Sequence, residues 1–266
     1  MSGSLSLEKV ISSLVNTAPP GELIGVSKDL SSIVFDQAGS NTVNSSIEDY
    51  IKENGAIISS KYIAIKHNKD EQSTKYVDYI NKKKFNIDLT ANKAIDFEDY
   101  ESDVQYPTYF DELVGQLESY GADHYPSTYA FTIIPEGNKV HVVIIGQRIN
   151  QENYYTGQWK SHYVIEDKNI SGGVKLDIHY YEDGNVRLNF DENVEGKLDG
   201  SGANSIINFI NSTENKITIK IVENFNGLNQ KSFKNLRRLL PVTRSKINWG
   251  SAIGNYKLGS DVVHKK

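Results

Sequence analysis

The residues best placed to do chemistry are cations near the C-terminus. In Phe233-Lys-Asn-Leu-Arg-Arg-Leu-Leu240, Lys234, Arg237 and Arg238 stand at i, i+3 and i+4, a spacing that gathers side chains on one face of a helix, while Phe233, Leu236 and Leu240 take another. One side packs and the other presents three positive charges, which is the chemistry of anion recognition. Beyond Pro241, Arg244 and Lys246 extend the basic track, because alternate residues of an extended chain point the same way. Ile247, Trp249, Ile253, Tyr256 and Leu258 follow among glycines and charges, and such apolar residues require a surface to bury against, on a partner or on this chain's own body. Gly250, Gly254 and Gly259 each raise the cost of an ordered terminal helix by about 0.8 to 1 kcal/mol relative to alanine, so the segment is expected to be helical only when bound.

Reaction chemistry is harder to place. His179 and Glu182-Asp183 offer metal or acid/base groups, but residues three apart on a strand point to opposite faces, and no second carboxylate can be set against Glu182. Asp191-Glu-Asn-Val-Glu-Gly196 resembles the start of a calcium loop, yet its twelfth position is Gly202 where a bidentate Glu is needed, so it reads as a polar loop. Gly200-Ser-Gly202 begins a dinucleotide pattern whose third glycine position is Ser205, without a βαβ unit around it. Neither a phosphate-cradling Gly-x-x-x-x-Gly-Lys nor a Gly-x-Ser-x-Gly nucleophile turn occurs. The expectation is a binding protein with no catalytic residue, cofactor or metal.

Composition agrees. The 266 residues, 38% hydrophobic, suffice for a sizeable core. The absence of cysteine excludes a disulfide framework and a thiolate metal site, and fits a reducing compartment. No run approaches a membrane span and the N-terminus lacks a secretory pattern, so the sites at Asn44, Asn169 and Asn211 that match the glycosylation pattern are expected to be incidental. Charge is polarised: residues 230–266 hold nine Lys/Arg and one acid, whereas residues 1–229 hold 20 bases and 33 acids. An acidic body with a basic tail points to an acidic partner met tail-first. A nucleic-acid binder is the alternative, opposed by the acidic body and the lack of an aromatic-faced binding sheet.

The elements that must position this tail can be read in order. Leu7, Val10, Ile11 and Leu14 predict a short helix capped by Ser6 and stopped at Pro19-Pro20. A second helix buries Leu23, Val26, Leu30 and Ile33 or Val34, and a third spans about Ile47 to Ile57. Residues 1–60 thus form an antiparallel bundle. Residues 61–125 are a mixed connecting region, with strands at Tyr62 to Ile65 and Phe85 to Leu89, long polar connections such as Asn68 to Lys75, and a helix from Pro107 to Tyr120 with the proline in its first turn. Residues 126–200 hold five strands, Tyr129 to Ile134, Val140 to Ile145, Tyr163 to Glu166, Val174 to Tyr181 and Val186 to Phe190, expected as an antiparallel meander with a tight turn at Asp183-Gly184 or Gly184-Asn185. Within residues 201–229, Ile206, Ile210, Thr213, Ile217, Ile221 and Phe225 predict one long helix from Ala203 to Phe225, and Asn229 to Leu240 continues as helix within the tail of residues 230–266. The expected class is α+β, one compact subunit in which an N-terminal antiparallel helix bundle precedes a five-stranded antiparallel sheet covered by a long helix and followed by a C-terminal amphipathic tail.

Two strings resemble the alpha subunit family of actin filament capping protein. Ile178-His-Tyr-Tyr-Glu-Asp-Gly-Asn-Val186 departs from the family pattern only in its first residue, and Phe233-Lys-Asn-Leu-Arg-Arg-Leu-Leu-Pro-Val-Thr-Arg244 only at Asn235. Ala18-Pro-Pro-Gly-Glu22, Asp123-His-Tyr125 and Asn153-Tyr-Tyr-Thr-Gly-Gln-Trp-Lys-Ser161 match in the expected order, whereas residues 36–105 match poorly, as in a fungal-type member. The resemblance implies half of an obligate heterodimer with a capping protein beta subunit, the two sheets joining as one. It further implies calcium-independent capping of the F-actin barbed end without severing, through Lys234, Arg237, Arg238, Arg244, Lys246, Trp249, Ile253, Tyr256 and Leu258. Release by phosphoinositides through Lys234, Arg238 and Arg244, control by protein regulators, and a cytoplasmic place in cortical actin patches are implied as well.

Overall fold

Hydrophobic periodicity changes twice along the chain, and the architecture changes with it. The computed structural model describes residues 6–19, 21–34, 37–101, 104–150, 152–182 and 185–228. Three helices come first: α1 (Leu7–Asn16), α2 (Leu23–Ile33) and α3 (Gln37–Asn54). The Ser6 side chain accepts the Lys9 N–H and so caps α1. The buried stripe of α1 is Ile11 and Val15, whereas Leu7, Val10 and Leu14 are exposed, so the apolar face read from sequence is split between core and surface. In α2 it is Val34, just past the helix, that packs inward while Ile33 is 69% exposed. The third helix begins ten residues earlier than expected, and strand β1 (Ala56–Ile58) takes the apolar residues that were read as its end.

The connecting region is a second small β unit that includes both strands read from sequence and adds others around the polar connections. Strand β1 pairs with β2 (Tyr62–Ala64), a 3-10 turn spans Lys66–Asn68, and β3 (Tyr76–Asp78), β4 (Lys83–Asp88) and β5 (Lys93–Asp99) form an antiparallel sheet. A core of Ile11, Val15, Val43, Ile47, Ile58 and Phe85 locks these strands to the helices. Helix α4 (Phe110–His124) starts three residues after Pro107, whose carbonyl accepts the Phe110 N–H at 3.0 Å, so the proline lies before the helix and not in its first turn.

The main sheet runs β6 (Thr128–Glu136), β7 (Lys139–Asn150), β8 (Tyr155–Glu166), β9 (Asn169–Tyr180) and β10 (Val186–Lys197), each antiparallel to the next in simple meander order. Both β8 and β10 are longer than expected. The Asp191–Gly196 stretch, read from sequence as a polar loop, is the second half of β10. Strand alternation gives the sheet two unlike faces. One carries Ile133, Val142, Ile144, Trp159, Tyr163, Val174 and Leu176 into the principal core beneath α4 and α5 (Ala203–Leu228). The other lies against β2 and the N-terminal layer, which reaches as far as Arg187 at the start of β10, and among the described residues the rest of β10 is exposed on that face. The long helix forms as expected and runs three residues further: Gly202, at φ +117°, turns the chain into α5, which buries Ala203, Ile206, Ile210, Ile217, Ile221 and Phe225. Gly196 of β10 leaves room for the Phe209 ring, which a Cβ there would meet at 2.4 Å.

Candidate functional site

The two edges of the main sheet differ. Strand β6 carries Pro135, which cannot donate to a further ladder, and it packs against α4 and β2. Strand β10 has no proline, pairs with β9 along its whole length, and has no strand on its other side among the described residues. Its odd positions, Arg187, Asn189, Asp191, Asn193, Glu195 and Lys197, are all exposed, while Leu188, Phe190 and Val194 are half or wholly covered on the α5 side. A twelve-residue edge of this kind offers a row of open main-chain donors and acceptors, with Glu192 its one charge on the α5 side.

Contacts hold this edge rigid. The Arg187 guanidinium donates to both Asp177 carboxylate oxygens, at 3.0 Å from Nε and 2.5 Å from Nη2, and also to the backbone carbonyls of Thr17 and Ala18 at 2.7 and 3.2 Å. The same side chain therefore clamps β9, β10 and the turn after α1, and its ion pair holds Arg187 above the usual guanidinium range. Lys220 of α5 reaches Glu192 of β10 at 2.5 Å. On its outward face α5 exposes Ile219 (59%) and Val222 (39%), and α1 exposes Leu7, Val10 and Leu14. These apolar residues and the open strand are the surfaces on which a partner can bury area.

Helix α5 is anchored by a buried carboxyl. Glu214, fully buried, accepts hydrogen bonds from the hydroxyls of Tyr120 (2.8 Å), Tyr125 (3.0 Å), Ser161 (2.5 Å) and Tyr163 (3.3 Å), and Ser161 Oγ in turn accepts Trp159 Nε1–H at 2.8 Å. Burial first, and the Glu214 charge next, push the Tyr120 and Tyr163 hydroxyls well above the tyrosine range, so they stay donors.

Nothing in the sequence spacing marked a second polar cluster, formed by His67 on the 3-10 turn, His141 on β7 and His162 on β8. The signal was latent in the β7–β8 register: His141 pairs with Val164 and Val143 with His162, which puts both histidines on one face. Burial lowers all three imidazole pKa values, that of His162 to about 3, where His141 and His67 add to the effect. Lys160, on the same face and donating to the Asn54 carbonyl, is lowered by burial to about 8.

The sequence candidates for chemistry do not assemble. His179 Nε2 lies 2.7 Å from Asn185 Oδ1, while Glu182 takes the Tyr180 hydroxyl, so the pair shares no ligand. The tail residues Lys234, Arg237, Arg238, Arg244, Lys246, Trp249, Ile253, Tyr256 and Leu258 lie outside the described residues, as do the Asp183-Gly184 turn and the helix expected over Asn229 to Leu240.

Comparison with known proteins bears on this architecture. Residues 11–261 match the family described as F-actin capping protein alpha subunit. Proteins named F-actin-capping protein subunit alpha are similar along their length: that of Debaryomyces hansenii is 64% identical over all of both chains, and that of Candida albicans is 52% identical over 99% of this chain and all of its own. The Saccharomyces cerevisiae protein of that name is 34% identical over 99% of each chain. Among solved structures, the homodimeric actin capping protein alpha subunit from Plasmodium berghei superposes with a TM-score of 0.73, covering 90% of this chain and 98% of its own at 20% identity, a likeness of fold.

Proposed function

The chain belongs to the F-actin capping protein alpha subunit family, and from that premise we propose that it caps the barbed end of actin filaments as one half of a heterodimer with a capping protein beta subunit. It acts by binding, not by catalysis. The observation that carries the reading is the match over residues 11–261 together with 64% identity to a named alpha subunit. Physical support comes from β10, whose outer edge carries no strand among the described residues: a long open edge invites aggregation unless another strand continues the sheet.

On this reading Lys234, Arg237, Arg238, Arg244 and Lys246 meet the acidic filament end and speed encounter, while Trp249, Ile253, Tyr256 and Leu258 bury apolar surface and slow release. Burying one such side chain contributes about 1.5 to 3 kcal/mol before the cost of ordering the tail. Phosphoinositides compete through Lys234, Arg238 and Arg244, each cation contributing about 1 kcal/mol at an anionic membrane. Capping is independent of calcium, consistent with the Asp191–Gly196 stretch being an edge strand, and does not sever filaments. Protein regulators act on the acidic body, and the protein works in the cytoplasm at cortical actin patches, with no nucleic-acid partner.

The test is elongation of pyrene-actin from seeded filament ends, using the chain co-purified with a beta subunit. Lys234→Glu with Arg238→Glu is expected to weaken capping at least tenfold while leaving the heterodimer intact in sedimentation. Undiminished inhibition of elongation by that double variant would reject the assigned tail residues, and a stable soluble monomer in the absence of a beta subunit would reject the shared sheet.

A further inference from the structure

The histidine cluster lies where three separate segments converge. Nδ1 of His141 and Nε2 of His162 are 3.0 Å apart, and the His67 ring sits 4.4 Å from His141 and 5.0 Å from His162 between centroids. One donor atom from each ring lies within 4.8 Å of the others. Two nitrogens on a tetrahedral Zn²⁺ are about 3.4 Å apart at the usual bond length, so His141 and His162 need move by only a few tenths of an ångström. His67 has the larger adjustment; its side chain is 22% exposed, and its Nδ1 lies 3.8 Å from Glu136 Oε2.

The surroundings are those of a held ligand set. Asn68, next to His67 and 1% exposed, accepts the Ile65 N–H at 2.9 Å and donates to the Ile63 and Val77 carbonyls at 2.8 and 3.0 Å, which fixes the turn against the strands. Nε2 of His141, buried, lies 2.9 Å from Glu136 Oε2 without the alignment of a hydrogen bond. Coordination through Nδ1 would fix the proton on Nε2 and turn it to Glu136, the carboxylate–histidine–metal arrangement by which proteins orient a liganding imidazole.

From this convergence we infer that His67, His141 and His162 form a site for one Zn²⁺ ion, with Glu136 as the carboxylate that positions His141 and the fourth coordination place open to solvent. Lys66, Lys139 and Lys160 stand near and oppose any cation held only by charge, so Mg²⁺ and Ca²⁺, which prefer oxygen ligands, are excluded. An ion that gains from imidazole nitrogen overcomes that opposition. The bound ion ties the 3-10 turn to β7 and β8, and so staples the N-terminal half of the subunit to the main sheet.

The experiment uses untagged protein, with its partner subunit, stripped by a chelator and titrated with Zn²⁺ by calorimetry and by thermal unfolding. One ion per chain should bind with a Kd below about 1 µM, and saturation should raise Tm by about 5 °C or more. His162→Gln and His67→Gln should each weaken binding at least tenfold and erase the Tm rise, and Glu136→Gln should weaken it about tenfold. Should His162→Gln fail to fold, the more exposed His67→Gln carries the test alone. Absence of stoichiometric binding, an equal Tm rise with Mg²⁺, or Zn²⁺ binding unchanged in His67→Gln would each overturn the assignment.

Discussion

Glu214 shows what one residue decides. Four hydroxyls converge on its carboxyl in the core beneath α5, so Glu214→Ala leaves four buried donors without an acceptor and is expected to cost about 3 kcal/mol or more in denaturant titration. Glu214→Gln keeps an acceptor oxygen and should lose less. Equal stability of the alanine variant and the parent would contradict the anchoring role. Tyr76 gives a second residue-scale expectation. Burial, with the Glu48 charge behind it, pushes its hydroxyl up to about 12. A raised pKa contributes stability that is whole below the unfolded value near 10 and is lost as pH rises towards 12. The protein should therefore weaken between pH 10 and 12 in urea unfolding, and Tyr76→Phe should lose less across that window. Neither residue could be singled out from sequence: Glu214 sits among polar neighbours in Asn211-Ser-Thr-Glu-Asn215, and its partners arrive from α4, β8 and the loop before β6.

At the scale of elements, legibility followed burial. Strands β6, β7 and β9 were readable because β-branched residues fill their covered positions. Of the small sheet only β4 was readable, at Phe85 to Leu89, because β5 is exposed along almost its whole length and its turns lack glycine: Lys82 and Asn92, just before β4 and β5, take the left-handed conformation themselves, at φ 52° and 51°. The same logic explains β10, whose exposed odd positions are all polar and so resemble a loop. Helix α5 declared itself by spacings of three and four despite the strand-like Ile217-Thr-Ile-Lys-Ile221. Its Ile219, on the outward face, is 59% exposed among the described residues. Ile219→Glu should accordingly change the stability of this chain by less than about 0.5 kcal/mol, yet, if the chain pairs with a beta subunit as proposed, reduce recovery of the pair on co-expression. Full recovery would remove the outward face of α5 from the partner surface.

The whole molecule is electrically lopsided, and that predicts how it meets a filament. With the acids in residues 1–229 and the bases in residues 230–266, attraction to an acidic surface is long-ranged only for the tail. Raising ionic strength from 50 to 200 mM should slow the capping on-rate several-fold and leave the off-rate within about twofold. A salt effect confined to the off-rate would reject tail-first encounter.

The grip on α5 has a geometric outcome. From Glu214 to Leu228 the helix extends about 21 Å at 1.5 Å per residue, and Lys220 and Phe225 hold it along the way. Such a beam, pinned in the interior, fixes the heading on which the chain leaves it. Five degrees of slack at the pin would swing its tip by about 2 Å over that length. The direction of α5 at Leu228 is thus set by hydroxyls about 21 Å away in the core.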